Sequence, residues 1–540
     1  MPAVDADVPV LIVGGGPVGL TARALLERWG VPTLLVEKHA DLSPFPRARL
    51  VNVRSMEILR QLGLAAEVTA HAFAAEYGRI RFRDTLHGPD FASAAMVGIH
   101  APVPESPVTG VVTSQDRLEP TLLAAADAPT RFGAELVDLA EETDHVVARL
   151  VDHRRGEETR VRARYVLAAD GANSTVRERL GIGTTGPGAL AGVTTVVFDA
   201  DLDDWRAERP AGVYFTPHGS FLPLYPEGGW AWIAPTPEDV EHADWPGLVS
   251  RALGPRPDAR TAVRVDVSRV QHWVMNASVA ERLRHGRILL AGDAAHAVPI
   301  IGGLGMNAGI ADAHNLCWKL AGVLHGWAGP GLLDSYEPER LPVAHRTLRQ
   351  AVANTQLMLQ VQNKRRDQVQ AGETTPEEGI ELPWSERYFA QLGLVLGVAY
   401  RSDAVLCDGD GDGRDDGDGD GTSPEPPDSG TDYVPTTEPG HRLPHLWLTP
   451  DRSTLDSSGE WFTLLTAAPD HWERQTDGTA PWPLRVEPLP HEHTDLFGLR
   501  PQGALLVRPD GHIAARWPDF PSSDSPLRAA LTALTRPTAP

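Results

Sequence analysis

The segment from residue 8 to residue 37 constrains the fold more than any other part of the chain. Residues 8–14 (VPVLIVG) form a continuous apolar run, which is typical of a strand buried on both faces of a parallel sheet. Pro17 suits the first turn of a following helix, and Gly30 can close that helix. Residues 33–37 (TLLVE) have the pattern of a second buried strand. The sequence therefore predicts a βαβ unit.

The turn inside this unit carries a dinucleotide motif. Gly14, Gly16 and Gly19 form G-x-G-x-x-G, and Glu37 ends the second strand. Such glycines let the backbone approach a pyrophosphate, and the helix N-terminus favours its negative charge. The acidic residue can accept a hydrogen bond from a ribose 2′-hydroxyl, which favours adenosine without a 2′-phosphate. This region predicts a dinucleotide site and leaves NAD and FAD as alternatives.

The composition excludes several classes of protein. A chain of 540 residues, 42% hydrophobic and 22% charged, has room for about two to four globular domains. Its net charge of −23 repels nucleic acid and anionic membranes. Because no run of about 18 apolar residues occurs, no membrane span is expected. Cys317 and Cys407 offer neither a disulfide framework nor a metal pattern, so we expect a cytoplasmic protein.

The pattern of apolar residues predicts an interrupted α/β fold. Buried-strand patterns return at 164–171 and 286–293, whereas 187–275 holds short alternating runs typical of an antiparallel sheet. Helical spacing predicts helices over 304–324 and 344–371. The predicted Rossmann-like domain comprises 1–74, 112–186 and 276–360, and the predicted substrate domain comprises 75–111 and 187–275. The remaining predicted parts are a helical segment (361–400), a flexible acidic linker (401–439) and a final domain (440–540).

The acidic run at 408–421 (DGDGDGRDDGDGDG) contains seven aspartates, which raises the alternative of a calcium loop. The glutamate that should complete such a loop is missing, so a self-repelling spacer is favoured. His296 and His314 have no partners at ligand spacing, and no metal site is expected.

The glycine motif and two later motifs together resemble those of a known family. The chain resembles the class A FAD-dependent aromatic monooxygenases, the para-hydroxybenzoate hydroxylase type, in three flavin signatures. These are GGGPVGL (14–20), DGANSTVR (170–177) and GDAAHAVPIIGGLGMNAGIADAHNLCWKLA (292–321). YEPERLPVA (336–344) is similar to their usual continuation. GHRLPHLWL (440–448), STLD (453–456) and LVRPDGHIAARW (506–517) resemble the thioredoxin-like tail of polyketide and phenol hydroxylases. This tail lacks the CxxC motif that disulfide exchange requires.

The resemblance implies a set of functional residues and a cofactor, FAD. Arg47 would lie beside the flavin, Asp293 would bind the ribityl chain, and Arg47 and Pro299 would serve catalysis. The loop that precedes the helix at 304–324 would face the flavin ring, and the helix dipole would favour the reduced anion. The implied cofactor-binding residues are Gly14, Gly16, Pro17, Gly19, Glu37, Lys38, Arg47, Gln115, Arg117, Asp170, Gly171, Asp293, Pro299, Gly303, Gly305, Met306 and Asn307.

The resemblance also implies the reaction. NAD(P)H would reduce FAD transiently, O₂ would add as a flavin C4a-hydroperoxide, and a phenolic or polycyclic polyketide-type aromatic would be hydroxylated. The antiparallel sheet would cover this substrate, with Tyr214, Phe221, Leu224 and Trp232 as expected contacts. His218 is a guess for the base that deprotonates a phenol. Ile300 replaces a proline that most relatives carry, which affects how the loop presents its carbonyl groups.

Three alternative functions are also compatible with the sequence. Baeyer-Villiger oxygenation of a polycyclic ketone uses the same cofactor, a single-Rossmann NAD-dependent dehydrogenase uses only the first motif, and a flavin-bound scaffold would recruit partners through its tail. The sequence also leaves the oligomeric state open, with a homodimer as one alternative.

Overall fold

The computed structural model describes residues 5–202, 208–255, 263–372, 375, 378–406, 430–474, 481–521 and 525–535. Strands β1–β24 and helices α1–α11 are numbered below in chain order. No helix in these ranges is both long enough and apolar enough to cross a membrane.

The first sheet has the predicted parallel core. Its strands run in the order β16-β17-β10-β1-β2-β7, parallel from β17 to β7, and β8 and β9 extend it as antiparallel strands beside β10. The centre of this sheet is buried and almost entirely apolar at residues 10–13, 33–36, 165–168 and 288–290, as expected for a sheet covered on both faces. The strands are β1 (Ala6–Val13), β2 (Thr33–Glu37), β7 (Thr130–Phe132), β8 (Ala134–Glu141), β9 (Val146–Asp152), β10 (Glu157–Ala168), β16 (Arg284–His285) and β17 (Ile288–Leu290).

Helices pack against this sheet, and two of them meet closely. A Cβ atom on Gly309 of α7 would lie 2.5 Å from Val18 Cγ2 of α1, so only glycine permits this approach. A short β3–β6 ladder lies beside them. These elements are α1 (Pro17–Arg28), α2 (Val53–Gln61), α3 (Ala65–Ala70), α4 (Gln115–Ala124), α5 (Thr175–Arg179), α7 (Gly305–His325), β3 (Leu50–Val51) and β6 (Val111–Val112).

The second sheet is the predicted antiparallel insertion. It has the order β18-β15-β11-β14-β13-β12-β4-β5, and only the β12–β4 pair is parallel. Strands β11 and β15 are long and cross the predicted domain boundaries at 186/187 and 275/276, because each runs from the Rossmann-like domain into the insertion. The elements are β4 (Arg79–Arg83), β5 (Asp90–Ala95), β11 (Thr184–Ala200), β12 (Val213–Thr216), β13 (Gly219–Tyr225), β14 (Gly228–Pro235), β15 (Val265–Ala280), β18 (His296–Ala297) and α6 (Trp245–Leu253).

The two faces of this sheet have different neighbours. One face packs against α6 and buries Tyr214, Phe221 and Trp232 with Leu253. The opposite face forms a second apolar cluster, which we call the aromatic wall: Phe82, Phe91, Phe215, Met358, Trp384, Phe389 and Ile301. Ile301 lies in the loop between β18 and α7, so the aromatic wall is the side of the sheet that meets this loop.

The long helix α8 (Tyr336–Gln370) starts eight residues before the predicted position 344. Among the described residues, only 361–370 of the predicted helical segment 361–400 lie in a long helix. After α8 ends at Gln370, the chain holds a short 3₁₀ turn at Tyr388–Ala390 and the four-residue α9 (Leu392–Val395). The segment packs instead through apolar side chains such as Leu382 and Trp384.

The predicted linker 401–439 is only partly described. The acidic run, and Cys407 with it, lies outside the described residues. On its two sides the chain is packed: Leu406 N donates to Ala514 O at 2.7 Å, Leu392 N donates to Thr431 O at 3.2 Å, and Tyr433 is buried. These flanks therefore belong to the folded protein.

The final unit contains a mixed four-stranded sheet with the order β22-β21-β23-β24. Strands β21 and β22 are parallel, while β23 is antiparallel to both of its neighbours. The elements of this unit are β19 (Trp447–Thr449), β20 (Arg452–Ser453), β21 (Phe462–Thr466), β22 (Leu484–Pro488), β23 (Ala504–Val507), β24 (Ile513–Trp517), α10 (Pro469–Glu473) and α11 (Pro526–Thr535).

Candidate active site

The glycine turn after β1 has the geometry of a phosphate cradle. Gly14 has φ +108°, and a Cβ there would lie 2.2 Å from Ala169 O, so the position requires glycine. A Cβ on Gly16 would meet no atom within 4 Å, which leaves open space beside the backbone. Helix α1 starts at Pro17, and its positive end therefore points at this space.

Glu37 is held at the same turn. Its Oε2 accepts a hydrogen bond from Gly15 N at 2.7 Å, and its Oε1 accepts from His39 N at 2.8 Å. The next residue, Lys38, is exposed. The carboxylate is thus fixed where the motif places an adenosine ribose.

Two acidic turns follow strands β10 and β17. Asp170 is bound to its own turn, since its oxygens accept from Ser174 Oγ at 2.6 Å and Val176 N at 3.0 Å; Gly171 follows with φ +86°. Asp293 differs, because its carboxylate has no hydrogen-bond partner in the described part of the chain. It is accessible to solvent yet enclosed by protein, as expected at the floor of a deep cleft.

The electrostatics of Asp293 agree with this position. Burial raises the pKa of the carboxyl group, and the nearby charges of His296 and Arg47 oppose that shift. Arg47 is exposed, and its charge also opposes the rise in the pKa of Glu119 that burial causes. The charge of Arg47 therefore acts on the carboxylate of Asp293.

The loop between β18 and α7 is a tight, glycine-dependent turn. Pro299 is buried, Ile300 is exposed, and Ile300 O accepts from Gly303 N at 3.1 Å. Asn307 holds the loop: its Nδ2 donates to Gly303 O at 2.6 Å and Leu50 O at 2.8 Å, and its Oδ1 accepts from Asn52 N at 2.9 Å.

Helix α7 begins at Gly305, with Met306 half-buried in its first turn. The positive end of a 21-residue helix therefore lies at this loop. An anionic ring placed against the loop would be stabilised there.

Helix α4 supplies another wall of the cleft. Gln115 Oε1 accepts from Ala48 N at 3.2 Å, and its Nε2 donates to Glu119 Oε1 at 2.7 Å. Arg117 pairs with Glu227 and lies 4.6 Å from the centre of the Tyr225 ring. Gln115 thus faces the segment that carries Arg47, while Arg117 lies against the β13–β14 hairpin.

Sequence reasoning missed Arg49. All three of its guanidinium nitrogens are buried, and none has a hydrogen-bond partner among the described residues. Burial lowers the pKa of Arg49 to about 10, and the nearby Asp116 opposes this shift. A buried guanidinium without a partner is costly, so it indicates a ligand that accepts its hydrogen bonds. Its position two residues after Arg47, in PRARL, was the available signal.

These residues fit a flavin dinucleotide. The open cradle at Gly16 suits a pyrophosphate, Asp293 offers a free carboxylate to ribityl hydroxyl groups, and Arg49 offers unused donors to an acceptor. Glu37 marks the adenosine end of the same cleft. A bound FAD would satisfy these unpaired polar atoms.

The structure places the predicted substrate contacts on two different faces of the second sheet. Tyr214, Phe221 and Trp232 lie together, but on the face of the sheet that packs against α6, away from Ile301. Leu224 is buried, and the alternation of side chains along β13 puts it on the other face. His218 is exposed at the β12–β13 turn, and its choice as a base stays a prediction.

Comparison with known families defines the class. A model described as an FAD binding domain matches residues 7–351, and a model of the C-terminal domain of aromatic-ring hydroxylases matches residues 436–537. The chain therefore belongs to the FAD-dependent aromatic-ring monooxygenases, and the dehydrogenase alternative is removed.

Relatives of this family are similar to the chain in sequence over nearly its whole length. A 4-methyl-5-nitrocatechol 5-monooxygenase from Burkholderia sp is 33% identical over 98% of this chain and 97% of its own. A tetracenomycin A2 monooxygenase-dioxygenase from Streptomyces glaucescens is 33% identical over 97% and 96%. The solved structure of the monooxygenase PieE, in complex with FAD and substrate, matches with a TM-score of 0.85 at 33% identity over 99% of this chain and 100% of its own.

Proposed function

We propose that this protein hydroxylates a flat polycyclic phenol that binds between the aromatic wall and the loop joining β18 to α7 (residues 298–304), which we call the flavin loop. The observation that carries the proposal is the position of Ile301, which belongs to the flavin loop and packs into the aromatic wall. A ring laid over the flavin would therefore contact Phe215 and its neighbours. The Phe82 and Phe215 rings stack with centroids 5.4 Å apart, which gives a broad apolar surface.

Trp384 supplies a polar contact within this wall. Its ring lies 6.1 Å from that of Phe82 and 5.2 Å from that of Phe389, and its indole N–H is buried without a hydrogen-bond partner among the described residues. Buried indole N–H groups normally have a partner. We infer that a hydroxyl or carbonyl oxygen of the substrate accepts this hydrogen bond.

Different residues of the cleft bind the cofactor and orient the substrate. Glycines 14, 16 and 19, Glu37 and Asp293 hold FAD, Arg49 donates to it, and the first turn of α7 stabilises negative charge on its ring. FAD, reduced by NAD(P)H, supplies the activation of O₂. The aromatic wall orients the substrate ring and excludes water from the reacting atoms.

Relatives named for aklavinone fit this size class, while others, such as the 4-methyl-5-nitrocatechol 5-monooxygenase, are named for smaller phenols. The chain is 34% identical, over 95% of its length, to an aklavinone 12-hydroxylase from Streptomyces purpurascens. A solved ternary complex of aklavinone-11 hydroxylase with FAD and aklavinone has a TM-score of 0.81 at 31% identity, covering 99% of this chain and 100% of its own.

The test incubates the FAD-loaded protein with NADPH or NADH, ¹⁸O₂ and matched phenols of one, three and four rings. We expect the three- and four-ring phenols to gain one labelled oxygen atom as a hydroxyl group, with coupled consumption of the reductant. Turnover of only the one-ring phenols would contradict the size class. With ketone analogues, a labelled lactone that opens on hydrolysis would instead establish Baeyer-Villiger chemistry, and reductant consumption without product would favour the scaffold alternative.

A further inference from the structure

A buried ionic cluster joins the C-terminal unit to the helix that faces the flavin. Arg508, next to β23, donates from Nη1 to Glu339 Oε1 at 2.6 Å and from Nη2 to Glu339 Oε2 at 2.8 Å. Glu339 also accepts from Lys319 Nζ at 2.7 Å and Asn315 Nδ2 at 2.6 Å, both in α7. The side chains of Arg508, Glu339 and Lys319 are fully buried. The C-terminal unit is thus connected to α7 through the buried carboxylate of Glu339 in α8.

A second contact leads from the same unit to Arg340. The Tyr400 ring lies against the His512 ring, with centroids 4.1 Å apart, and Tyr400 Oη accepts from Arg340 Nη1 at 3.2 Å. Arg340 donates from Nε to Asp312 Oδ1 at 2.7 Å and from Nη2 to Ala308 O at 3.1 Å. Ala308 lies in the first turns of α7, close to the flavin loop.

Asp312 completes the connection to the cleft. Its Oδ2 accepts from Gly292 N at 3.0 Å and binds His296 Nε2 at 2.6 Å. Gly292 precedes Asp293 directly, and the charge of His296 acts on that carboxylate. The orientation of Asp312 therefore fixes the turn that presents Asp293 to the cofactor.

We propose that the C-terminal unit positions the flavin site, with Arg508 and Arg340 as positioning residues that hold α7 and the Asp293 turn. Isolated buried charges are expensive, so removal of one member of a buried pair displaces or destabilises its partners. The unit has no CxxC motif for disulfide exchange, but the chain of buried contacts ends at Gly292, directly before Asp293. Its role is thus to hold α7 and the Asp293 turn in the positions that bind the cofactor.

The test compares two buried arginines that cross the same interface. Arg508→Met breaks the pair with Glu339, and the matched control Arg442→Met breaks the pair with Glu57 of α2, which makes no hydrogen bond to residues 291–295 among the described residues. Full-length apoprotein is titrated with FAD. We expect Arg508→Met to raise the Kd for FAD at least tenfold and Arg442→Met to change it less than threefold, although both lower the unfolding temperature. Equal effects on the Kd, or no effect of Arg508→Met, would overturn the proposal.

A second, milder pair of variants is used if Arg508→Met does not yield folded protein. Tyr400→Phe removes only the hydroxyl that accepts from Arg340, and Tyr433→Phe removes the equivalent acceptor from Arg442 at 3.4 Å. We expect Tyr400→Phe to raise the Kd for FAD about threefold and to shift the visible absorbance spectrum and reduction potential of bound FAD, with Tyr433→Phe unchanged in all three. Identical behaviour of the two variants would refute the connection, because a general loss of stability would affect both.

Discussion

The backbone N–H of Gly15 donates a 2.7 Å hydrogen bond to Glu37 Oε2, which joins the glycine turn after β1 to the end of β2. The chain thus fixes this carboxylate before any ligand arrives, so little conformational freedom is lost when FAD binds.

The variant Glu37→Gln tests this preorganisation. It keeps the shape of the side chain but removes the charge, and hydrogen bonds to charged groups contribute about 1.5–3 kcal/mol. We expect the Kd for FAD to rise roughly 10- to 100-fold in titrations of the apoprotein. Glu27→Gln is the matched control, since Glu27 also accepts backbone hydrogen bonds, from Asp127 N and Ala128 N, outside the cleft. An equal loss in both variants would contradict a role in cofactor binding.

Gly14→Ala tests the steric requirement of the cradle. The new Cβ would lie 2.2 Å from Ala169 O at a φ of +108°, so the turn or β10 must move. We expect a loss of roughly 3 kcal/mol or more in the free energy of unfolding, measured with urea on the apoprotein. Gly30→Ala is the control, because Gly30 has φ +68° and open space around it. Its cost should be about 1–2 kcal/mol, from the left-handed backbone alone. Equal costs would show that the contact with Ala169 is relieved easily.

The Rossmann-like core could be predicted from the sequence because its strands are buried on both faces. The prediction for β2 (33–37) is confirmed to the residue, and the helix expected over 304–324 is α7 at Gly305–His325. Both segments have apolar patterns that no exposed element would carry.

The face of the second sheet that meets the flavin could not be predicted. Strand alternation separates Tyr214 from Phe215, but α6 covers one face and the aromatic wall covers the other, so both faces are apolar. Local sequence likewise gave no reason to choose between Arg47 and Arg49. Only the tertiary fold shows that the guanidinium group of Arg49 is the buried one.

Glu119→Gln tests the pH dependence of the apoprotein. Burial raises the pKa of Glu119 to about 7, from an ordinary value of 4.5, so folding disfavours the charged form. This penalty is small below pH 4.5, grows as the pH rises through 7, and then reaches its full value of roughly 3 kcal/mol. We expect Glu119→Gln to be more stable than the parent at pH 8, with the difference shrinking toward pH 5. A difference independent of pH, in urea unfolding at several pH values, would contradict the raised pKa.

Trp384→Phe tests the proposed hydrogen bond to the substrate. The ring remains in the aromatic wall, but the unpartnered indole N–H is lost. A neutral hydrogen bond contributes about 0.5–1.5 kcal/mol, so KM for a polycyclic phenol should rise about three- to tenfold with kcat nearly unchanged. The control is Trp273→Phe, because Trp273 Nε1 already donates to Thr195 Oγ1 at 3.0 Å. An unchanged KM for Trp384→Phe would remove this contact from the proposal.

Phe215→Leu and Phe221→Leu together decide which face of the second sheet binds the substrate. Phe215 belongs to the aromatic wall and stacks on Phe82, whereas Phe221 stacks on Trp232 beneath α6. Both side chains are buried, so each substitution should cost about 1–3 kcal/mol in the free energy of unfolding. Only Phe215→Leu should also raise KM, by several-fold, because it alone removes part of the surface that the substrate contacts. Steady-state kinetics on both variants, at a temperature where each is folded, provides the measurement. A rise in KM confined to Phe221→Leu would place the substrate on the α6 face, since the loss of stability common to both variants cannot produce such a difference.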